Sequence, residues 1–388
     1  MKHYLVIPLA GLGNRFAREG FILPKQMLPV GESTTFDYSM NSIKLDDFEI
    51  VFVIRKEQSK AGLADFIKSK IHQEIKIITI DRLTRGSVET VLESELVVPP
   101  DSKLTIFTMD VAFSNLYTAN TFQETASGGV LTFKSNSLNY SYAKVKSDVV
   151  TETAEKVPIS DNALVGIYYF AKASDFYKYA REMLSQEDVS GGEYYIAPLY
   201  NYFIRDGHRI ESKKVETFYV FGTPSEYRFF SNVIARSLKI RRIGLCSDHS
   251  GFDTKELIKE FLKESKINIL DYGTHSHNDC DYNEFVEKAS NGLLKGEIDL
   301  IFASCRSGQG VAIAGGAYPG VIPTVIYSLE SAELAIKHNC SNFISVPSHL
   351  FKDRHSVSDL VSKVLSTTFE GGRHQLRLMK VAEAKRME

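Results

Sequence analysis

Two rhythms of apolar and polar positions alternate along the chain: short continuous apolar runs, and longer stretches where apolar residues recur every three or four positions. The runs HYLVIPL (3–9), IVFVI (50–54), IKIITI (75–80), LTIFTM (104–109), GVLTF (129–133) and LVGIYYF (164–170) predict strands. So do RRIGLCS (241–247), INIL (267–270), DLIFA (299–303), VIPTVIY (321–327) and FISV (343–346). Helical spacing separates most of them. In DTKELIKEFLKES the residues Leu257, Ile258, Phe261 and Leu262 share a face, and Asp253 with Glu256 predicts a capping box at its start. Strands alternating with helices point to an α/β fold with parallel or mostly parallel sheets covered on both faces.

The pattern begins twice. After residue 3, and again after residue 241, an apolar strand runs into a glycine loop and a helix start, first AGLGNRF and then DHSGFD. No Pro/Gly linker separates the halves, so the boundary is expected within FSNVIARSLKI near 230–241, with a helix joining two packed halves. A length of 388 residues is compatible with two or three domains.

Composition narrows the class. Hydrophobic residues make up 43% and charged residues 24%, as in an ordinary globular protein, which excludes fibrous or disordered chains. A formal net charge of −2 leaves no broad basic field for nucleic acid or anionic lipid. No apolar run approaches the ~18 residues of a membrane span. MKHYLVIPLAG lacks the layout of a signal peptide, so a cytoplasmic location is expected. The four cysteines, Cys246, Cys280, Cys305 and Cys340, all lie beyond residue 245, form no CxxC pair and are expected to be reduced thiols.

Residues 9–30 read LAGLGNRFAREGFILPKQMLPV. Gly11 and Gly13 after an apolar strand let the backbone approach a phosphate, and amides at the helix start face the anion. Arg15 and Lys25 add charge suited to a phosphoryl transition state. GLGNRF lacks the third glycine of a dinucleotide fingerprint, and no GKS or GKT follows to make a Walker A loop.

AGxGxRF followed by PKxxLPV resembles the signature of the sugar-phosphate nucleotidylyltransferases. TRGSVETVL (84–92), FTMDV (107–111), Glu155-Lys156 before VGIYYF (165–170), GGEYYI (191–196) and FGTPSEY (221–227) follow in that family's order. The resemblance covers residues 1–235 and implies a Rossmann-like three-layer α/β/α domain with a mixed sheet. It implies that Gly11, Gly13 and Arg15 hold the triphosphate and that Lys25 neutralises a phosphate. Arg85 and Gly86 would contact the nucleotide, Lys156 and Glu193 the incoming sugar phosphate, and Asp110 would bind Mg²⁺. Val220 stands where many members carry a second metal-binding Asp.

The second half holds SDHSGF (247–252), Asp281-Tyr282, CRSGQG (305–310), Lys337-His338-Asn339 and GGRHQLR (371–377). A cysteine between a buried strand and a glycine loop at a helix start is expected to have a lowered pKa and to take a proton α to a carbonyl, with loop amides stabilising the enediolate. Two arginines four residues apart can grip a phosphate. Taken singly, Cys305 reads as core, His338 as a helix-end histidine, and Arg373 with Arg377 as a solvated face.

Together, in this order and spacing, they resemble the ribose-5-phosphate isomerase B / galactose-6-phosphate isomerase family over residues 241–380, with a parallel-sheet domain spanning 240–388. That resemblance implies Cys305 as general base, His338 opening the sugar ring with help from Asp248, and phosphate binding by His249, Arg373 and Arg377. Tyr282 and Asn339 would hold sugar hydroxyls, and Ser307, Gly308 and Gly310 an anion hole. No cofactor is implied, and a homodimer that builds its sites across the interface is. Arg306 stands at the family's small Gly, Gly315-Gly316-Ala317 at its Ala-Asn-Lys, and Gly320-Val321-Ile322-Pro323 at its Gly-Ile-Arg-Ala, so the substrate need not be ribose 5-phosphate.

The expectation is a bifunctional enzyme of activated-sugar synthesis of the capsule or surface-polysaccharide kind. It would isomerise a sugar phosphate and couple a sugar phosphate to an NTP (CTP, or UTP or GTP). In a second reading only one half is catalytic and the other is a sugar-phosphate-binding regulatory or dimerising module. A third, a cysteine hydrolase using Cys305 and His338, leaves the arginine pair and Asp-His-x-Gly without a role.

Overall fold

The first apolar run becomes the strand His3–Pro8, parallel to Glu49–Arg55 on one side and to Lys103–Phe107 on the other. Alternate side chains of these strands enter opposite faces. Tyr4, Val6, Val51, Val53, Leu104 and Ile106 pack in one core, and Leu5, Ile7, Ile50, Phe52 and Ile54 in the other. A run apolar on both faces is the sequence form of that double burial. Truncating a side chain such as Phe52, 0% exposed, to Ala costs about 3–5 kcal/mol.

The chain folds as two units, Met1–Tyr227 and Arg228–Glu388, and the computed structural model describes residues 1–265 and 267–384. In the first unit nine strands form one mixed sheet. Their order is Ile75–Ile80, Glu49–Arg55, His3–Pro8, Lys103–Phe107, Asn162–Phe170, Gly128–Lys134, Ile210–Lys214, Val149–Glu155 and Ser141–Lys146. The first four are parallel; Asn162–Phe170 then runs antiparallel to both of its neighbours. The chain leaves His3–Pro8 toward one side of the sheet and returns to the other side as Lys103–Phe107. The gap between the ends of these two strands is therefore a topological switch point.

The second unit is a parallel sheet of five strands, ordered Asn268–Asp271, Arg242–Ser247, Leu300–Cys305, Phe343–Pro347 and Pro323–Val325. Ile243, Leu245, Phe302 and Val346 join the core on one face; Cys246, Ile301, Ala303 and Cys305 join the core on the other. Helices on both faces complete an α/β/α sandwich. The switch point here lies between Arg242–Ser247 and Leu300–Cys305. A helical stretch spans residues 224–237, and the division between the units at 227/228 falls within it, a few residues before the 230–241 expected from sequence. Among the described residues no helix is long and apolar enough to cross a membrane.

One local expectation is corrected. The helix of the DTKELIKEFLKES stretch is Phe252–Lys263 with Gly251 as its N-cap, so Asp253 lies inside the first turn and makes no capping box. The Asp253 side chain is 82% exposed, and Glu256 instead pairs with Lys255 at 2.5 Å. Asp248 accepts the Gly251 amide at 2.8 Å, closing the turn before the helix starts.

Candidate functional site

Each switch point carries one of the glycine loops. In the first unit the loop after His3–Pro8 turns at Gly13, whose φ of 65° suits glycine, directly before the short helix Asn14–Arg18. Gln58 Nε2 donates to the carbonyls of Leu9 at 2.8 Å and Gly11 at 3.3 Å and so fixes the loop. Across the switch point Asp110 follows Lys103–Phe107, and the Lys25 ammonium is in direct contact with its carboxylate. The chain from FGTPSEY closes this side. Tyr227 donates to the Pro29 carbonyl at 2.7 Å, and its ring packs with Phe16 and Phe21.

Glu226, with no role assigned from sequence, belongs to this group. It is 6% exposed, and its carboxylate accepts the Thr223 amide at 2.9 Å. Burial pushes its carboxyl pKa up, with the charge of nearby Asp110 adding to the shift and that of Arg15 opposing it. The Thr-x-x-Glu spacing of a capping box was the available signal. Asp110 is fitted to hold a cation with help from phosphates. A Cβ at Gly222 would approach Asp110 Oδ2 within 3.3 Å, so glycine keeps that oxygen open. A magnesium ion needs only one or two carboxylates beside substrate phosphates. Val220 lies buried in Phe218–Val220, paired with Val111, and supplies no ligand.

A second cluster joins the other predicted segments. The Tyr194 amide donates to the Arg85 carbonyl at 3.0 Å, and the Val88 amide to the Tyr194 carbonyl at 3.1 Å. Gly86, at φ 147°, lies so close to the Tyr194 backbone that a Cβ would collide with it. Arg85 pairs with Glu89 at 3.2 Å and stacks over the Tyr194 ring. Lys156 donates to Tyr195 Oη at 2.6 Å. Glu193 is exposed next to Tyr194. Burial raises the pKa of neighbouring Glu155, Ser141 and Lys156 opposing and Glu193 adding.

In the second unit Cys305 ends Leu300–Cys305, buried at 5% exposure. The Asp248 amide donates to the Ser304 carbonyl at 3.3 Å, and a Cβ at Gly251 would collide with that same carbonyl. His249 Nδ1 accepts the Cys280 amide at 3.3 Å and lies 3.2 Å from Asp279. Gly308, at φ 74°, caps Gln309–Gly316, and its carbonyl accepts from the Ser345 hydroxyl. The Tyr282 ring would be 2.8 Å from a Cβ at Gly310. Asp248, His249, Tyr282, Cys305, Ser307, Gly308 and Gly310 thus share one end of the sheet. Arg306 is exposed, and its carbonyl accepts from His349 Nδ1 at 2.7 Å.

His338 is elsewhere. It caps the C-terminal end of Leu329–Lys337, the helix that leads back to the start of Phe343–Pro347. That is the opposite end of the sheet from Cys305, roughly 15–20 Å away for a strand of this length. Asn339 is exposed beside it. Arg373 and Arg377 begin the helix Arg373–Ala384, and the Glu370 amide donates to the Lys337 carbonyl at 2.9 Å, so this group gathers around His338. One chain does not bring Cys305 and His338 together, which removes the cysteine-hydrolase dyad as an arrangement within a single chain.

The ring of His374 stacks on that of His338, centroids 4.3 Å apart and planes within 4°. Glu370 Oε2 lies 3.4 Å from His338 Nε2 and 3.6 Å from His374 Nε2. These three donor atoms are of metal-ligating type, all within 4.8 Å of one another. Arg373 Nε donates to His374 Nε2 at 3.3 Å, however, and so occupies that lone pair. With Arg377 nearby, the cluster suits an anion better than a cation. Burial, then His338 and Arg373, pushes the His374 pKa down to about 4.

Residues 243–381 match the ribose/galactose isomerase family. A Rickettsia bellii protein assigned as a sugar phosphate isomerase is 31% identical over 144 residues, which are 37% of this chain and 99% of that protein. The ribose-5-phosphate isomerase B of Escherichia coli K12 is 30% identical over 139 residues, 36% of this chain and 93% of that enzyme. The structure of a nucleoside-diphosphate-sugar pyrophosphorylase from Vibrio cholerae RC9 is 30% identical, covers 58% of this chain and 98% of its own, and superimposes with a TM-score of 0.53. Through its second unit the chain belongs to the ribose/galactose isomerase family, and its N-terminal region is similar in fold and sequence to a sugar-nucleotide pyrophosphorylase.

Proposed function

We propose that the chain is a bifunctional enzyme of activated-sugar synthesis, of the kind that feeds surface polysaccharide. Its second unit interconverts an aldose and a ketose phosphate, and its first couples a sugar phosphate to an NTP. The observation that carries this reading is that each candidate loop sits at the switch point of its own sheet, where open α/β sheets bind ligands.

In the second unit His338 donates a proton to the ring oxygen as the C1–O bond breaks, while the C1 hydroxyl proton leaves toward Asp248. Cys305 as thiolate then takes the C2 proton, the loop amides at Ser307, Gly308 and Gly310 stabilise the enediolate, the O2 proton passes to O1, and the proton held by Cys305 returns to C1 as the C2 carbonyl forms. Arg373, Arg377 and His249 hold the phosphate, while Tyr282 and Asn339 hold hydroxyls. Cys305 and His338 stand at opposite ends of one chain's sheet, so a complete site takes Cys305 from one copy and His338 from another. The exposed apolar side chains Ile313, Tyr327, Leu329 and Leu334 on this unit support such a homodimer.

In the first unit a phosphate oxygen of the sugar phosphate attacks the α-phosphorus, and the bond to the bridging oxygen breaks to release pyrophosphate. The amides at Gly11 and Gly13, with Arg15, hold the leaving phosphates, and Lys25 leaves Asp110 to neutralise the α-phosphate. Asp110 would hold Mg²⁺, whose charge offsets that of the phosphates. Arg85 and Gly86 line the nucleotide side, and Lys156 and Glu193 the sugar phosphate. Val220 and Arg306 favour a second reading in which one unit only binds sugar phosphate.

A panel of four NTPs against pentose, hexose and heptose phosphates, read as pyrophosphate, tests the first activity. Ketose formation without NTP tests the second. Both activities are expected; failure of either one with every substrate overturns the bifunctional reading in favour of the second.

A further inference from the structure

We propose that Glu370 is a positioning residue for His338, holding the imidazole by a carboxylate at Nε2 and a stacked second imidazole so that Nδ1 is the nitrogen left to exchange a proton with the sugar ring. The inference rests on the isomerase reading of the second unit.

The main chain sets up the arrangement. The Glu370 amide donates to the Lys337 carbonyl at 2.9 Å, so the backbone of Glu370 is tied to the helix end that carries His338. Gly371 and Gly372 follow at φ 68° and 54°, two consecutive left-handed residues that only glycine adopts readily. They reverse the chain into Arg373–Ala384, with the His374 amide donating to the Gly371 carbonyl at 3.0 Å. This reversal lays the His374 ring, 6% exposed for the residue as a whole, flat against His338. One face of the His338 ring is thereby covered, and its Nε2 is 3.4 Å from Glu370 Oε2.

The charges around His338 make Glu370 the group that matters. From Arg373–Ala384 come Arg373 and Arg377, both cationic, together with His374. From its own helix comes Lys337, 3.9 Å from Glu333. Glu370 is the carboxylate in ion-pair contact with the His338 ring. A carboxylate at this range engages Nε2 and leaves Nδ1 as the nitrogen that can face a sugar ring. Ring opening needs a correctly aimed ring nitrogen, so Glu370 orients His338 without touching substrate.

The test is Glu370→Gln, with Glu370→Asp as the conservative rescue, in the full-length protein. Two readouts are taken: kcat and KM for isomerisation, and the ring-nitrogen NMR shifts of His338, which report which nitrogen carries the proton and need no substrate. Loss of the carboxylate is expected to change the balance between the Nδ1–H and Nε2–H forms of the ring. A fall in kcat of about tenfold and little change in KM are expected, with partial recovery in Glu370→Asp. Pyrophosphate release stays at the wild-type level. Ring-nitrogen shifts of His338 unchanged in Glu370→Gln overturn the inference whatever the rate does. Shifts that change while the wild type isomerises no sugar phosphate overturn the isomerase reading and leave the contact itself established.

Discussion

In the first unit Arg15, Lys25, Asp110 and Glu226 meet at one switch point, and the segments carrying Arg85, Lys156 and Glu193 are tied together within the same chain. In the second unit Cys305, Asp248, His249 and Tyr282 stand at one end of the sheet, and His338, Arg373 and Arg377 gather at the other. The units use the same architectural device, a glycine loop at the carboxyl ends of parallel strands, yet differ in what one copy can complete. The first has the parts of a site in one chain, while the second has two halves. On the proposed reading, nucleotidyl transfer would be complete in one copy, whereas isomerisation would depend on association.

The largest expected effects separate the two chemistries. Cys305→Ala and His338→Ala should each lower ketose formation by about 10²–10⁴-fold, the usual worth of a general acid or base, and leave pyrophosphate release unchanged. A variant that lost both activities would show that the units do not act separately. Lys25→Ala and Asp110→Asn should lower pyrophosphate release by about 10²–10³-fold, as removal of a charged phosphate-binding group does, with isomerisation intact.

A smaller effect separates the units by pH. Burial, with Lys103 adding, pushes the His3 pKa in the first unit down to about 3. The folded value lies below the unfolded 6.5, so protonation favours unfolding. The stability this neutral ring confers is complete above pH 6.5 and is lost as pH falls toward 3, on the order of 4–5 kcal/mol at full loss. Denaturant unfolding followed between pH 7 and 4 should show the first unit weakening, and His3→Gln should flatten that slope. An unchanged slope in His3→Gln would assign the acid sensitivity to other groups. The smallest effect concerns Arg306. Its backbone carbonyl is held by His349 while its side chain is exposed, so Arg306→Gly should change the KM for different sugar phosphates by a few-fold. An identical substrate ranking would remove Arg306 from specificity.

Much of this architecture is legible in the sequence. IKIITI is a strand over the residues its apolar run marks, and the glycine loops lie where GLGNRF and CRSGQG put them. The hairpin of Ser141–Lys146 and Val149–Glu155 is not legible. Its strands alternate with charged residues, and its turn places Ser147 and Asp148 at φ 48° and 61° without the glycine that usually announces such a turn. Chemistry-bearing residue types next to glycines are conspicuous in a sequence. Glu226 and Glu370 are not, because a glutamate in a helix cap or before a turn reads as solvated until the fold buries it or sets it against a histidine. The separation of Cys305 from His338 is likewise invisible in spacing, since only the strand order shows that a helix end and a strand end lie on opposite sides of the sheet.

Mixing two inactive variants tests the central claim most directly. Cys305→Ala and His338→Ala proteins, each without isomerase activity, are combined, allowed to exchange subunits and assayed for ketose formation. If each site draws Cys305 from one copy and His338 from its partner, random exchange makes half the dimers mixed, each with one intact site, and restores about a quarter of wild-type activity. The same mixing of Lys25→Ala with Asp110→Asn restores no pyrophosphate release. No recovery in the isomerase mixture would contradict the shared site, and recovery in the nucleotidyl-transfer mixture would contradict the self-contained one.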